Sequence, residues 1–227
     1  LHADEGIERI RFLTSHPAYV SDRLIEAIAD LPKVMEHLHI PVQSGDDTVL
    51  ERMRRGYRAD DYRRLVGRVR SRVPNVAVHT DVIVGFPGES GAQFQATYDL
   101  LAELRLDKAH IARYSPRPGT VSAVTMSDDV PEDEKEHRRR ALDDLQEHIC
   151  SEINARFLGR TVEVLVEGGA EGRWRGRTRN DKLVFFDDQR PRLGRLVNVR
   201  VTWAGPWSMV GEAVDASALS PPEPPDV

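Results

Sequence analysis

The sequence predicts an α/β protein in two parts, with parallel strand–helix units first and a small antiparallel β-barrel after them. Strand-like and helix-like stretches alternate through residues 9–157, which is typical of parallel strands joined by helical crossovers. After Gly159 the segments become short and alternating, and each is bounded by Gly, Asn, Asp or Pro. At 227 residues the chain is long enough for two domains, which is the arrangement we favour.

Four strand–helix units account for the first part. The expected strands are residues 9–13, 37–42, 76–86 and 107–115, and the expected helices are residues 21–29, 60–73, 93–104 and 131–157. Parallel strands need such crossovers, and their pairing gives either an open sheet or a barrel. We assign residues 1–158 to this domain.

Five short segments account for the second part. They are residues 161–169, 173–180, 182–188, 195–205 and 208–216. Together they predict a five-stranded barrel over residues 159–216. Proline and acidic residues are frequent near the end of the chain, so we expect residues 217–227 to form a disordered tail.

The composition excludes several classes of function. A net charge of -5 and a pI near 5.9 argue against a protein that coats nucleic acid by bulk charge, so any RNA contact must come from a local cluster. The single cysteine, Cys150, excludes an internal disulfide and any metal or iron–sulfur site made of several thiolates of this chain. No apolar run is long enough for a bilayer and no signal segment is recognisable, so we expect a soluble, cytoplasmic protein without a membrane partner.

An aspartate within the apolar strand TDVIVGFPGE indicates a binding site. Alternation places Asp81 and Ile83 on one strand face, and a buried carboxylate is costly unless it meets a donor or a ligand. Gly85 and the following PG pair let the backbone pass close to a bound molecule. The alternative is a structural turn together with an aspartate that pairs with an arginine.

The other predicted strands also end in polar loops. Gln43 and Ser44 follow the second strand, Tyr114 and Arg117 follow the fourth, and a TSHP loop follows the first. Ligands of parallel α/β proteins bind at the carboxyl ends of the strands, so we expect one shared pocket.

Six segments resemble, in the same order, the radical S-adenosylmethionine methylthiotransferases. They are RIRFLTSHP, HLHIPVQSGDDTVLERMRRGY, TDVIVGFPGE, YSPRPGT, DDVPEDEKEHRRRALDDLQ and GRTRNDKLVFF. The resemblance covers nearly the whole chain. It implies an incomplete parallel βα barrel of the radical SAM type followed by a TRAM β-barrel, with S-adenosylmethionine as cofactor and tRNA as the partner that receives a methylthio group.

The family also binds 4Fe-4S clusters, one through a CxxxCxxC loop early in the barrel and one in a further N-terminal domain. This sequence has no CxxxCxxC motif, so the cluster ligands are expected outside it. The resemblance therefore implies the C-terminal part of a longer enzyme, inactive by itself. Its expected partners include the missing N-terminal cluster domains and an electron donor.

The resemblance assigns the cofactor contacts residue by residue. Gln43 with Ser44 beside it, Arg55 of MRRGY, and Asp81 hold the positions that contact the ribose and methionine parts of S-adenosylmethionine in related enzymes. Gly85 opens the loop whose backbone approaches the adenine. The planar fork of arginine suits a methionine carboxylate, whereas a solvated helix-end arginine is the alternative for Arg55. We assign no metal ligand and no catalytic side chain.

The TSHP loop, Thr14–Pro17, resembles the branch that modifies isopentenyl-adenosine beside the tRNA anticodon. His16 is then a substrate-side residue together with Tyr114 and Arg117, although a histidine that hydrogen-bonds its own loop is an equal alternative. The threonylcarbamoyl-adenosine and ribosomal-protein branches stay open. So do a non-catalytic RNA-binding remnant and a barrel lyase or isomerase that works without radicals.

A basic segment in the second part predicts RNA contact. Its arginines alternate and so share one strand face, where they can bind phosphates, and its tryptophan can stack on a base or fill the barrel. The TRAM resemblance favours RNA binding over a solvated basic strand. The predicted RNA-binding residues are Arg173, Trp174, Arg175, Arg177, Arg179 and Lys182.

Overall fold

The fold consists of two compact units, the first reaching Ile149 and the second starting at Cys150. The computed structural model describes residues 3–13, 15–170 and 172–214. The predicted tail, residues 217–227, lies outside these described residues, as does Thr14 of the TSHP loop.

The first unit contains alternating strands and helices. Its strands are β1 (His37–His39), β2 (Ala77–Val84) and β3 (Lys108–Arg113). Its helices are α1 (Asp22–Asp30), α2 (Asp47–Arg52), α3 (Ala59–Arg72), α4 (Gly91–Leu104), α5 (Val121–Thr125) and most of α6 (Glu132–Ala155). A short 3-10 helix, Pro17–Tyr19, precedes α1.

The three strands pair in parallel in the order β1-β2-β3. His39 lies opposite His79, and Asp81 lies opposite His110. Two isolated parallel bridges extend the sheet, Ile10 with Val34 and Gln43 with Val82. Residues 9–13 were predicted to be a strand, but within the described residues only Ile10 has a bridge partner there.

Helix α3 shows why the sheet has one apolar face. Tyr62, Leu65, Val66 and Val69 recur at the spacing of a helical stripe, and all four are buried in the main core. On β2 the alternate residues Val78, Val82 and Val84 belong to the same core, so the side chains of His79 and Asp81 fall on the other face of the sheet.

Two helix starts follow the polar loops that the sequence predicted. Asp46 caps α2 by accepting a hydrogen bond from the Val49 N–H at 2.9 Å. Ser90 and Gln93 form a capping box at the start of α4. These caps fix the loops that follow β1 and β2.

The second unit is a closed barrel. Its strands are β4 (Thr161–Ala170), β5 (Arg173–Arg177), β6 (Leu183–Asp187), β7 (Leu196–Ala204) and β8 (Met209–Val214), in the order β4-β5-β6-β8-β7. The predicted barrel is confirmed, but its strands are not all antiparallel. β6 and β8 pair in parallel, with Val184 opposite Met209, because closure brings together strands that no hairpin joins.

Helix α6 has 24 residues, but charged side chains occupy much of its length. Among the described residues no helix is both long and apolar enough to cross a membrane.

Candidate functional site

A cavity of about 690 Å³ opens in the first unit where β1, β2 and β3 end. It is lined by the loop after β1, the end of α2 and the chain after it, the end of β2 and the loop after it, β3 and the loop after it, and the start of α5. The lining residues are Gln43, Arg52, Met53, Arg54, Arg55, Asp81, Val82, Ile83, Phe86, His110, Ala112, Arg113, Tyr114, Ser115, Arg117, Thr120, Val121 and Ser122. Three residues that the sequence assigned to the cofactor, Gln43, Arg55 and Asp81, are therefore brought together.

Gln43 is held by its own backbone. Its N–H donates to the Asp81 carbonyl at 2.8 Å, and its carbonyl accepts from the Ile83 N–H at 3.0 Å. Its φ of 70° lies in the left-handed region, which turns the chain from the sheet into the loop. Gln43 lines the cavity, and its side-chain amide offers two hydrogen-bond donors and an acceptor to a ligand.

Asp81 carries the negative charge of the cavity. One carboxylate oxygen, Oδ1, accepts a hydrogen bond from His39 Nε2 at 2.8 Å. Burial opposes ionisation, but the His39 hydrogen bond and the nearby His39, His110 and Arg55 outweigh it and lower the pKa of Asp81. Asp81 is therefore an ionised acceptor at neutral pH.

Arg55 supplies positive charge to the same cavity. Its backbone N–H donates to the Leu50 carbonyl at 3.0 Å, which fixes the chain after α2. Its side-chain Nε is buried and has no hydrogen-bond partner among the described residues. A buried donor without a partner is costly, so this guanidinium is suited to an anionic ligand group such as a carboxylate.

Tyr57 lies close to Arg55. Burial raises the pKa of the Tyr57 phenol, and Arg55 partly offsets that effect. The hydroxyl donates to the Val42 carbonyl at 2.9 Å, so Tyr57 connects the MRRGY segment to the loop after β1.

Ser44 and Gly85 are not placed with the other three residues that the sequence assigned to the cofactor. Ser44 is fully buried beside Thr97, at 3.2 Å between hydroxyl oxygens, and its Oγ accepts from the Asp46 N–H. Neither residue is part of the cavity wall. Both residues have contacts within their own part of the fold, and their assignment to the cofactor stays a prediction.

The reason for a glycine at position 85 is the side chain packed against it. Its φ is 71°, and a Cβ added there would lie 2.3 Å from Lys135 Cγ. The Gly85 N–H donates to Glu89 Oε2 at 2.6 Å, so it is already used within the loop. Glu89 is bonded in turn to Arg138 on α6 at 2.8 Å. Two residues of α6, Lys135 and Arg138, therefore pack against and bond to the loop after β2.

Of the three residues predicted to face the substrate, two line the cavity and one does not. Tyr114 and Arg117 line the cavity, with the Tyr114 ring edge-on to Phe86 at 5.2 Å. His16 does not line it, and its Nδ1 accepts from the Ala18 N–H at 3.2 Å. This hydrogen bond is the contact that the alternative for His16 describes, and the substrate-side role of His16 stays a prediction.

Two histidines of the site were not predicted. His39 and His110 flank Asp81 on the same sheet face, with their rings stacked at 5.6 Å between centroids. His39 belongs to HLH on β1 and His110 to KAHIAR on β3. The parallel register sets His39 opposite His79, two residues before Asp81, and His110 opposite Asp81, so both histidines share the face of Asp81. Donor atoms of His39, Asp81 and His110 lie within 4.8 Å of one another, a set that suits divalent transition ions, but the His39–Asp81 hydrogen bond already satisfies that pair.

The basic segment of the second unit separates into exposed and internal residues. Arg173 and Arg175 are exposed on β5, whereas Arg177 lies 3.4 Å from Glu167 and 3.6 Å from Asp181. Lys182 is only 7% exposed, so its burial argues against the phosphate contact that the sequence predicted. Arg179 is partly buried and has an interaction partner of its own.

Trp174 points toward the barrel core. Its ring packs against the buried cluster of the barrel, and its Nε1 donates to the Asp188 carbonyl at 2.8 Å. A cavity of about 440 Å³ nevertheless borders this ring, and its wall consists of Gly169, Ala170, Arg173, Trp174, Arg175 and Phe185.

Comparisons with known proteins agree with both units. The profile of the radical SAM superfamily matches residues 1–101, and the profile of the TRAM domain matches residues 155–214. The chain belongs to the radical SAM superfamily and contains a TRAM domain. The radical SAM match includes Gln43, Arg55 and Asp81, and the TRAM match includes the whole barrel.

Among the curated relatives are two proteins named tRNA-2-methylthio-N(6)-dimethylallyladenosine synthase. The one from Roseiflexus sp. (strain RS-1) is 52% identical over 214 residues, which are 93% of this chain and 45% of the relative. The one from Chloroflexus aurantiacus is 51% identical over 209 residues, which are 91% of this chain and 45% of the relative. The chain thus spans about half the length of the curated relatives it matches.

A solved structure has a similar fold over part of this chain. Coproporphyrinogen III oxidase from Escherichia coli, described as a radical SAM enzyme, superposes with a TM-score of 0.50 at 18% identity. The superposition covers 60% of this chain and 31% of that one.

Proposed function

We propose that this chain is the cofactor- and tRNA-binding part of a tRNA methylthiotransferase that modifies N6-isopentenyladenosine next to the anticodon by radical SAM chemistry. The observation that carries the proposal is the convergence of Gln43, Arg55 and Asp81 on one cavity. The names of the relatives support the reaction and the RNA substrate.

The donor set of the cavity suits S-adenosylmethionine. The Arg55 guanidinium, whose buried Nε has no partner among the described residues, would bind the methionine carboxylate. The Asp81 carboxylate would accept from ribose hydroxyls, and the Gln43 amide would read a further polar group. Bound there, the cofactor would supply the radical chemistry of the superfamily, and the protein would supply binding and orientation.

The cluster that this chemistry needs does not fit the present residues. A 4Fe-4S cluster requires several thiolates, and the sequence has one cysteine, which is buried on α6. We therefore place the cluster ligands on other parts of a longer protein, expect no turnover from these 227 residues, and assign an electron donor as a further partner.

Asp81→Ala tests the cofactor assignment. Loss of a charged acceptor should weaken binding of S-adenosylmethionine to the 227-residue chain by about tenfold or more, measured by ligand-observed NMR titration. Asp99→Ala, on the exposed side of α4, is the control and should bind as the unsubstituted chain does. Equal affinity in Asp81→Ala would remove Asp81 from the site.

Arg173→Gln with Arg175→Gln tests RNA binding by the TRAM barrel. Both side chains are exposed, so the double variant should bind tRNA more weakly at low salt and lower the slope of log K against log salt by up to about 2. Arg68→Gln with Arg72→Gln on α3 makes the same change in net charge as a control. If both double variants lose affinity equally, the effect is one of overall charge and the β5 surface is not the binding face.

A further inference from the structure

His39 and Asp81 form a pair on the sheet face that opens into the cavity. The His39 side chain is 18% exposed and that of Asp81 is 37% exposed, so the hydrogen bond between them is shielded while the carboxylate still reaches the cavity. Only Oδ1 of Asp81 accepts from a side chain in the described structure. The second oxygen, Oδ2, is therefore left for a ligand.

The His39 ring is held from several sides. The His110 ring stacks on it with an interplanar angle of 21°, and the His79 ring meets it edge-on at 6.3 Å. His79 Nδ1 is in turn 3.1 Å from His37 Nε2. These contacts fix the imidazole plane, and with it the direction in which Nε2 donates.

We propose that His39 is a positioning residue that orients the Asp81 carboxylate so that Oδ2 can accept hydrogen bonds from both ribose hydroxyls of a bound nucleoside. The inference rests on the proposed function, because it takes Asp81 as the nucleoside contact. An aspartate χ2 torsion is broad, so a carboxylate without a second anchor would lose rotational freedom on binding. The His39 donor removes that freedom beforehand and raises affinity by preorganisation.

The alternative role of His39 is to satisfy a buried carboxylate and nothing more. If the role of His39 is only structural, its replacement should weaken the binding of every ligand of the cavity equally, or of none. A positioning role predicts a loss that depends on the ribose hydroxyls. The ratio of affinities for adenosine and 2′,3′-dideoxyadenosine separates the two, because these ligands differ only in those hydroxyls.

The experiment measures both nucleosides on the 227-residue chain by ligand-observed NMR with a metal chelator present. The unsubstituted chain should prefer adenosine by about tenfold or more, and His39→Leu should lose most of that preference while its affinity for dideoxyadenosine stays within about twofold. His39→Gln should retain most of the preference, because its amide can donate from nearly the same place. His137→Leu, exposed on α6, is the control.

Three outcomes overturn the inference. If the unsubstituted chain binds both nucleosides equally, the assignment of Asp81 fails and the inference fails with it. If the chain discriminates and His39→Leu discriminates equally, the inference alone fails. If the chain discriminates between the two nucleosides only after zinc is added, a metal ion binds the ribose and His39 is a ligand of that metal ion.

A measurement on the unsubstituted chain keeps the inference testable should His39→Leu not fold. Histidine 15N NMR should show a protonated Nε2 on His39, since only that nitrogen can donate to Asp81. An unprotonated Nε2 would contradict the proposed hydrogen bond.

Discussion

Replacing Arg138 by methionine is expected to destabilise the first unit by about 3 to 5 kcal/mol, because it leaves the buried Glu89 carboxylate without its cation. The two side chains are 6% and 1% exposed and lie 2.8 Å apart. Arg138 also donates to the Glu89 backbone carbonyl at 2.9 Å, so the loop after β2 loses two contacts at once.

Urea denaturation followed by two signals measures this loss. All three tryptophans, Trp174, Trp203 and Trp207, lie in the second unit, whereas most helix lies in the first. The circular dichroism transition should therefore shift while the tryptophan fluorescence transition stays. A shift of the fluorescence transition alone would contradict the prediction.

Two variants control for the change of side chain. Arg140→Met lies on the same helix but pairs with Glu136 at the surface, so it should cost less than about 1 kcal/mol. Adding Glu89→Gln to Arg138→Met removes the stranded charge and keeps an oxygen for the Gly85 N–H, so the double variant should recover most of the loss.

The loss in Arg138→Met should also depend on pH. Burial raises the pKa of Glu89 above its ordinary value of 4.5, although Gly85 and Arg138 oppose the shift. Without Arg138 the folded-state pKa of Glu89 rises further, so the folded state holds its proton more tightly than the unfolded state. The loss should therefore be smaller at about pH 5 than at about pH 8.

Gly85→Ala is expected to destabilise the first unit by about 2 to 4 kcal/mol, from a left-handed backbone and a steric clash together. The clash is with Lys135 Cγ, and the Lys135 side chain is only 1% exposed. Its ammonium group is fixed by Asp128 at 2.7 Å and Glu132 at 2.8 Å, so the methylene stem cannot move aside. The same denaturation experiment measures the effect.

A second glycine separates the two contributions to this effect. Gly56 also has a φ of 71°, but nothing lies within 4 Å of an added Cβ. Gly56→Ala should therefore cost only the backbone term, about 1 to 2 kcal/mol. Equal losses at the two positions would mean that Lys135 does not crowd Gly85.

The convergence of Gln43, Arg55 and Asp81 on one cavity could be predicted from the sequence, because strand order and strand ends determine where these residues lie. Gln43 follows the apolar strand β1, and Asp81 lies within the apolar strand β2. Arg55 belongs to the MRRGY motif, which follows α2. Parallel pairing then brings them to one edge of the sheet without any knowledge of side-chain packing.

The surroundings of Ser44, Gly85 and Lys182 depend on contacts between distant segments, which the sequence pattern does not show. The Ser44 hydroxyl is hydrogen-bonded to Thr97, and the Lys135 side chain packs against Gly85. In each case the partner is about 50 residues away along the chain. Burial of Lys182 likewise follows from tertiary packing that local alternation does not encode. The alternation of residues along a strand predicts which face of the strand a side chain occupies. Which residues contact that side chain depends on the tertiary fold.

The parallel contact between β6 and β8 sets a minimum length for the second unit. Hairpins β4–β5, β5–β6 and β7–β8 can form from neighbouring chain, whereas β4–β7 and β6–β8 require loop closure over longer separations. Truncation before Met209 would leave β6 and β7 with unsatisfied ladder groups, which are templates for intermolecular strand addition and aggregation.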